Sequence, residues 1–210
     1  MSRKFLELAF TPSVLNAQRQ AFGKARPFND TPADAFGPDE MEFIAARDSF
    51  YLASVGESGW PYVQHRGGPK GFLRVLGPTT LAFADLSGNR QLVSTGNVQA
   101  SERVALFLMD YPNRRRLKIL GTARVESPTD NPVLLARVAD ANVASTVERI
   151  FVIELAAFDW NCPKYITPRF TAEEVQQAIE PLTRRIAELE AQLAARTNGV
   201  APTAGSRLAK

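Results

Sequence analysis

One cysteine and one histidine in 210 residues remove whole classes of chemistry. Cys162 has no second cysteine to pair with inside the chain. With His65 as the lone imidazole, a Cys/His zinc site cannot be assembled, and no metal is expected. No apolar run approaches the roughly 18 residues of a membrane span, so no membrane partner is expected. The stretch Met1-Ser2-Arg3-Lys4-Phe5-Leu6-Glu7 carries an acid inside its short apolar run and lacks a small-residue cleavage signature. A formal charge of +3 is too small, without a basic helix, to point to nucleic acid. These absences set the expectation of a soluble, cytoplasmic protein whose partners are small molecules or copies of itself.

What the chain does contain is ordinary in bulk and unusual in placement. A 45% hydrophobic and 22% charged composition is that of a globular domain, and this length buries a sizeable core. Residues 1–40 mix apolar anchors with Pro12, Pro27 and Pro32 and read as a covering arm. A short helix is expected near Ser13–Phe22, with Ser13 as its cap. Asp39–Arg47 reads as another short helix. Strand signals then follow at Phe50–Val55, Trp60–Arg66, Phe72–Leu76 and Thr80–Asp85, separated by glycine and proline turns. Longer strands are expected at Arg103–Asp110 and Arg115–Val125, a helix at Asn131–Val138 and a last strand at Arg149–Phe158. Antiparallel strands with helices at the ends and crossovers make a mainly β fold, a small β-barrel with α decoration, over 41–170.

From Thr171 the period changes. Val175, Ile179, Leu182, Ile186, Leu189 and Leu193 recur at alternating spacings of four and three, the seam of a coiled-coil-like helix over 171–196. Thr171 and Glu174 fit a capping box, and Pro181 predicts a kink or a restart. The seam could pack on its own subunit or pair with a partner. Residues 197–210 are small and polar and read as a disordered tail.

The strand ends carry cations and glycines where ordinary turn residues are usual. Gln64-His65-Arg66-Gly67-Gly68-Pro69-Lys70 joins a guanidinium fork to a mobile ammonium and to backbone that allows close approach. Asn89-Arg90-Gln91, following Gly88, is expected to open a short helix with its amides near Arg90, again suited to an anion. In Asn113–Lys118 the densest charge alternates between faces, and Arg114, Arg116 and Lys118 share one of them. Each of these has a plain alternative as a solvated loop or strand edge. His65 is the candidate catalytic residue, though a lone histidine is as readily structural. Trp160 suits stacking on a flat ring or filling an interface, and Asn161 offers a donor and an acceptor at a ring edge.

Taken together, Phe50–Ala53, Gly59–Gly68, Gly88–Gln91, Leu108–Gly121 and Asp159–Pro163 resemble, in order and spacing, the pyridoxamine 5′-phosphate oxidase-like FMN-binding split-barrel family. The resemblance covers about 41–170. It implies an antiparallel split barrel of six or more strands, here with an added long C-terminal helix. It also implies a homodimer holding FMN at the subunit interface. By position, Gln64, His65 and Arg66 fall on the first flavin-binding strand; Gly67 and Lys70, just beyond it, belong to the candidate cofactor set. Asn89, Arg90 and Gln91 fall at the phosphate turn, where Gln91 stands in place of the family's lysine. Arg116 and Lys118 join the cofactor set, with Trp160 and Asn161 on the segment a partner subunit contributes. The implied chemistry is hydride transfer at flavin N5 with an unidentified small molecule. A flavin storage or sensing protein, or a barrel binding haem or a deazaflavin, would share the same fold.

Overall fold

Strict alternation of buried and exposed side chains builds the sheet. The computed structural model describes residues 2–88, 90–160 and 162–198. In β1 (Ser49–Val55), Phe50, Leu52 and Ser54 turn inward while Tyr51 and Val55 face out. The same period runs through β2 (Pro61–Gly67), β5 (Arg103–Asp110) and β6 (Arg115–Glu126). With β3 (Arg74–Val75), β4 (Thr80–Leu86) and β7 (Val147–Trp160) they form one seven-stranded sheet in the order β2-β1-β5-β6-β7-β4-β3. Every neighbouring pair is antiparallel.

The middle of β7 is buried on both faces, which makes it the spine of the fold. Phe151 and Ile153 enter the main core with Phe50, Leu52, Phe83, Leu106 and Ile119. Ile150 and Val152 enter a second cluster beneath α5 (Pro132–Val138), with Ala82, Leu134 and Val138. Phe83 and Phe151 stack at 4.9 Å, and full burial of each such ring stabilises by roughly 1.5–3 kcal/mol. The edge strand β2 then approaches β4, the neighbour of the other edge strand, through side chains. Arg66 on β2 reaches Asp85 on β4, and the Phe50 ring stacks on Phe72 in the loop that joins the edges. Among the described residues no backbone ladder joins β2 to β4. The result is a barrel that closes everywhere except along this seam, a split barrel.

The helices are set by their caps. Ser2 caps α1 (Arg3–Ala9), a helix the sequence pattern does not predict, and its hydroxyl also donates to Asp34. Thr11, rather than Ser13, caps α2 (Pro12–Phe22), because Pro12 occupies the first helical position. The third helix, α3 (Pro38–Ala45), buries Phe43 and Ile44. The expected strand Phe72–Leu76 shrinks to β3, since the Phe72 amide is turned back onto the Pro69 carbonyl. β7 outruns its expected ends at both sides.

Asn131 caps α5 through its side-chain oxygen on the Leu134 amide, while its Nδ2 donates to Glu126. The Asn131 contact, aided by Arg124, holds the Glu126 carboxyl below its ordinary value of 4.5. A depressed folded-state pKa contributes stability above the unfolded value and loses it as the pH falls through the folded one. Asn131→Ala is therefore expected to cost about 1 kcal/mol at neutral pH. Part of that cost should fade in acid below pH 4.5, leaving the pH-independent cap. Urea unfolding of both proteins at pH 7 and in mild acid checks this.

The chain divides into two compact units, Met1–Thr167 and Pro168–Lys210. The second contains α6 (Ala172–Asn198), opened by the expected capping box: the Thr171 amide donates to Glu174 and the Glu174 amide to Thr171. No restart occurs at Pro181; one helix runs through it. Thr183 Oγ1 donates to the Ile179 carbonyl one turn below. The expected disordered tail lies, from residue 199 onward, outside the described residues.

Candidate functional site

The seam where the barrel fails to close is where the charges gather. Arg66 projects from β2 toward β4, and its Nη1 donates to Asp85 Oδ1 at 2.5 Å. Asp85 accepts a second bond at 3.0 Å from Nε of Arg149, which stands on β7 beside β4. The Arg66 guanidinium also lies over the Phe83 and Phe151 rings, at 5.6 and 5.4 Å. Its position is thus fixed from two directions. Its Nε is buried and has no hydrogen-bond partner among the described residues. A buried guanidinium N–H left unpaired is costly, and an anion placed beside it would remove that cost.

Beside these groups the chain runs from β4 into α4 (Val93–Ala100) through a strained turn. Arg90 and Leu92 both adopt left-handed backbone, with φ of 59° and 55°. Neither is glycine or asparagine, so each holds a conformation that costs of order 1–2 kcal/mol. The helix therefore opens at Val93, not at Gly88–Gln91 as its sequence suggests. Its N-cap residue, Leu92, has no side chain to cap it, and the amides of its first turn have no intrahelical acceptor. Ser94 donates its hydroxyl to Gln64 Oε1 at 2.8 Å, and Asn97 donates to Ser54 at 3.0 Å. These two bonds tie the helix to β2 and β1.

The product is a cavity of about 130 Å³ lined by Gln64, Arg66, Asp85, Arg90, Gln91, Ser94, Thr95 and Arg149 among others. Three guanidinium groups line it against Asp85, and Arg149 also donates to Glu148 at 2.5 Å, so the site keeps a surplus of one positive charge. A second cavity of about 270 Å³ shares Arg66 and Asp85 with the first. His65, Gly67, Phe72, Phe83 and Val138 line it as well. Strand alternation sends His65 to the face opposite Gln64 and Arg66, where its ring meets Tyr51 edge-on at 5.6 Å. Gly68, at the rim, is required by packing: a Cβ there would sit 2.7 Å from the Phe72 ring.

Of the residues expected from sequence, the structure brings Gln64, Arg66, Arg90 and Gln91 to one cavity, with His65 and Gly67 at its neighbour. Lys70 lines a third hollow with Met41 and Leu73. Arg116 and Lys118 lie on β6, in neither of the first two cavities. The Arg116 guanidinium covers Phe107, and Lys118 pairs with buried Asp159 at 2.8 Å. Arg114 does not share their strand, because it sits in the preceding turn with φ of 53°. Trp160 ends β7 and is engaged within its own chain, donating to Glu40 at 2.7 Å and meeting Phe43 edge-on. Asn89 and Asn161 lie outside the described residues. Arg149, Ser94 and Thr95 are additions that sequence reasoning misses.

The family model for pyridoxamine 5′-phosphate oxidase matches residues 37–158, more than half of the chain. The chain belongs to that family. The match takes in six strands whole and β7 as far as Phe158, with both cavities' strand residues. Among solved structures the chain is similar to a putative pyridoxamine 5′-phosphate oxidase from Lactobacillus delbrueckii, at 19% identity and a TM-score of 0.47. That alignment covers 60% of this chain and 93% of the other. It is also similar to an F420 reductase, at 22% identity and a TM-score of 0.40, covering 59% and 98%. A FAD-binding protein from Mesorhizobium loti aligns at 12% identity and a TM-score of 0.38, covering 61% and 96%. No curated protein matches the sequence.

Proposed function

We propose that this chain binds FMN and acts as a flavin-dependent oxidoreductase on a small organic molecule. The observation that carries the reading is the convergence of Arg66, Arg90 and Arg149 on one small cavity at the start of α4. A phosphate monoester is a dianion at neutral pH, with both charges on one phosphorus. Its three terminal oxygens match the three guanidinium groups that converge there. Each phosphorus of the diphosphate of FAD, and the phosphodiester phosphorus of a deazaflavin such as F420, offers only two such oxygens.

In this reading Arg66 and Arg90 grip the phosphate oxygens, and the first amides of α4 supply further donors. Asp85 keeps Arg66 and Arg149 in place instead of meeting the ligand. Gln64 and His65 contact the flavin or its substrate, with His65 the candidate catalytic group. When bound, FMN would supply hydride transfer at N5. The protein's own share is to orient the ring and to limit water and oxygen.

The homodimer belongs to the same proposal. Tyr51, Val55 and Val63 form an exposed apolar strip on the outer face of β1 and β2, with Trp60 at its end. His65 shares that face and also lines the second cavity. A second copy seated there would complete the cavity's wall.

Titrating the flavin-free protein with FMN and with riboflavin tests the central claim. FMN is expected to bind at least about 100-fold more tightly, since two or more charge-assisted hydrogen bonds depend on its phosphate. Equal affinities would remove the phosphate cradle. The mass of any copurified chromophore identifies the cofactor directly, and FAD, a deazaflavin or haem would replace FMN. Reduction by NADH or NADPH no faster than that of free flavin would make the protein a flavin carrier or sensor.

A further inference from the structure

The spacing of the apolar residues on α6 assigns Ile179, Ile186 and Leu193 to the a positions of a heptad repeat. Val175, Leu182 and Leu189 then take the d positions. From Val175 to Leu189 these side chains are between 42% and 64% exposed. Arg196 occupies the next d position and ends the stripe. Pro181, the one residue that disfavours a helix interior, falls at a c position on the opposite side. There the Gln177 carbonyl that it leaves without an amide partner can be met by water.

We propose that α6 pairs with α6 of a second copy of this chain as a parallel, in-register, two-stranded coiled coil. In it Arg185 of each helix lies against Glu190 of the other. The choice of a second copy and of direction comes from the flanking residues. In a parallel coil, isoleucine at a with leucine at d, the pattern here except at Val175 and Leu193, favours two strands over three or four. The g positions are Ala178, Arg185 and Gln192, and the e positions are Gln176, Thr183 and Glu190. In a parallel pair each g residue faces the e residue five positions on in the other helix. Arg185 therefore meets Glu190 twice, once on each side of the seam. An antiparallel pair sets g against g and e against e. No opposite charges then meet, and Arg185 or Glu190 is left beside a neutral residue or its own kind.

Within the single helix Arg185 bonds Glu188 at 2.9 Å, and Arg184 bonds Glu180 at 3.0 Å. Both are exposed pairs of little worth, so Arg185 exchanges one for the other at small cost.

Disulfide trapping in the full-length chain tests the pairing. Cys162 is exposed and is first replaced by serine. Single cysteines are then placed at Ile179, at Leu189 and, as an outward-facing control, at Ala187. Facing a and d positions of a two-stranded coiled coil are close enough for a disulfide, whereas two b positions are not. In a glutathione redox buffer Ile179→Cys and Leu189→Cys are each expected to form a same-residue dimer, at least tenfold more than Ala187→Cys. Disulfides that appear only when the two variants are mixed would establish an antiparallel pair and overturn the proposal. Yields no higher than the control would overturn it as well. Adding Arg185→Glu to Leu189→Cys should lower the yield several-fold, and Glu190→Arg in the same chain should restore it. Failure of that rescue removes the assigned charge pair. None of these readouts involves flavin, so their failure is distinct from failure of the proposed function.

Discussion

Alanine at both Arg66 and Arg90 is expected to abolish measurable FMN binding. Each guanidinium is assigned a charge-assisted contact with one dianion, and such contacts contribute about 1.5–3 kcal/mol apiece, or roughly 10- to 100-fold in affinity. Because both act on the same phosphate, the double loss will not equal the sum of the single ones. The two single variants should behave differently in the absence of ligand. Arg90 sits on the turn before α4 with its side chain exposed, so Arg90→Ala should weaken FMN binding and leave the melting temperature near wild type. Arg66 is paired with Asp85 and packed on two phenylalanine rings, so Arg66→Ala should also lower stability. Arg66→Lys separates these effects, keeping the charge while losing the planar fork that grips two oxygens at once. Fluorescence titration with FMN reads the affinity, and thermal unfolding without FMN reads the stability. A double variant that binds FMN within about threefold of wild type would place the phosphate elsewhere.

The period-two strands were legible because their inward residues are large and aliphatic or aromatic, as at Phe50 and Leu52 in β1 or Leu106 and Leu108 in β5. Where a strand ends on polar residues the sequence misleads. Asp159 reads as a terminus, yet it is buried in β7 and paired with Lys118. The first helix was invisible for a related reason. What holds it is nonlocal: Ser2 to Asp34, and Glu7 to Thr31. Arg66 and Arg90, which line one cavity, were legible as candidates because each stands beside a strand end and a glycine-bearing turn. Arg149 carries no such local mark. It reaches the cavity only because the sheet order sets β7 beside β4, and strand order is a property of long-range pairing. The same order carries Arg116 and Lys118 to a central strand and onto Phe107 and Asp159. Cationic character was readable from the sequence; which cations meet was not. The left-handed turn at Arg90 and Leu92 was equally hidden, because neither residue type announces that conformation.

Valine at Gly121 is expected to be among the most destabilising single changes in the barrel. Gly121 lies within β6, at the bulge where the pairing with β7 slips by one residue. A Cβ at this position would sit 2.6 Å from the Glu154 carbonyl oxygen and 2.9 Å from the Ile153 side chain. The first of those atoms is backbone of β7, held by ladders to β6 on one side and β4 on the other. It cannot rotate away as a flexible side chain would. Relief requires β6 and β7 to separate, which also disturbs Ile119 and Ala123 in the main core. Overpacking in a well-filled core costs about 1–3 kcal/mol, and contact with backbone puts this substitution at the upper end of that range or beyond. For a domain of this size that corresponds to a melting temperature lower by roughly 6–12 °C. Gly77 provides the control: a Cβ there meets nothing within 4 Å, so Gly77→Ala should melt within a degree or two of wild type. The bulge adjoins neither cavity, so any Gly121→Val protein that remains folded in the cold should bind FMN with wild-type affinity. An unchanged melting temperature would mean that β6 and β7 pair without the close approach on which the closed side of the barrel depends.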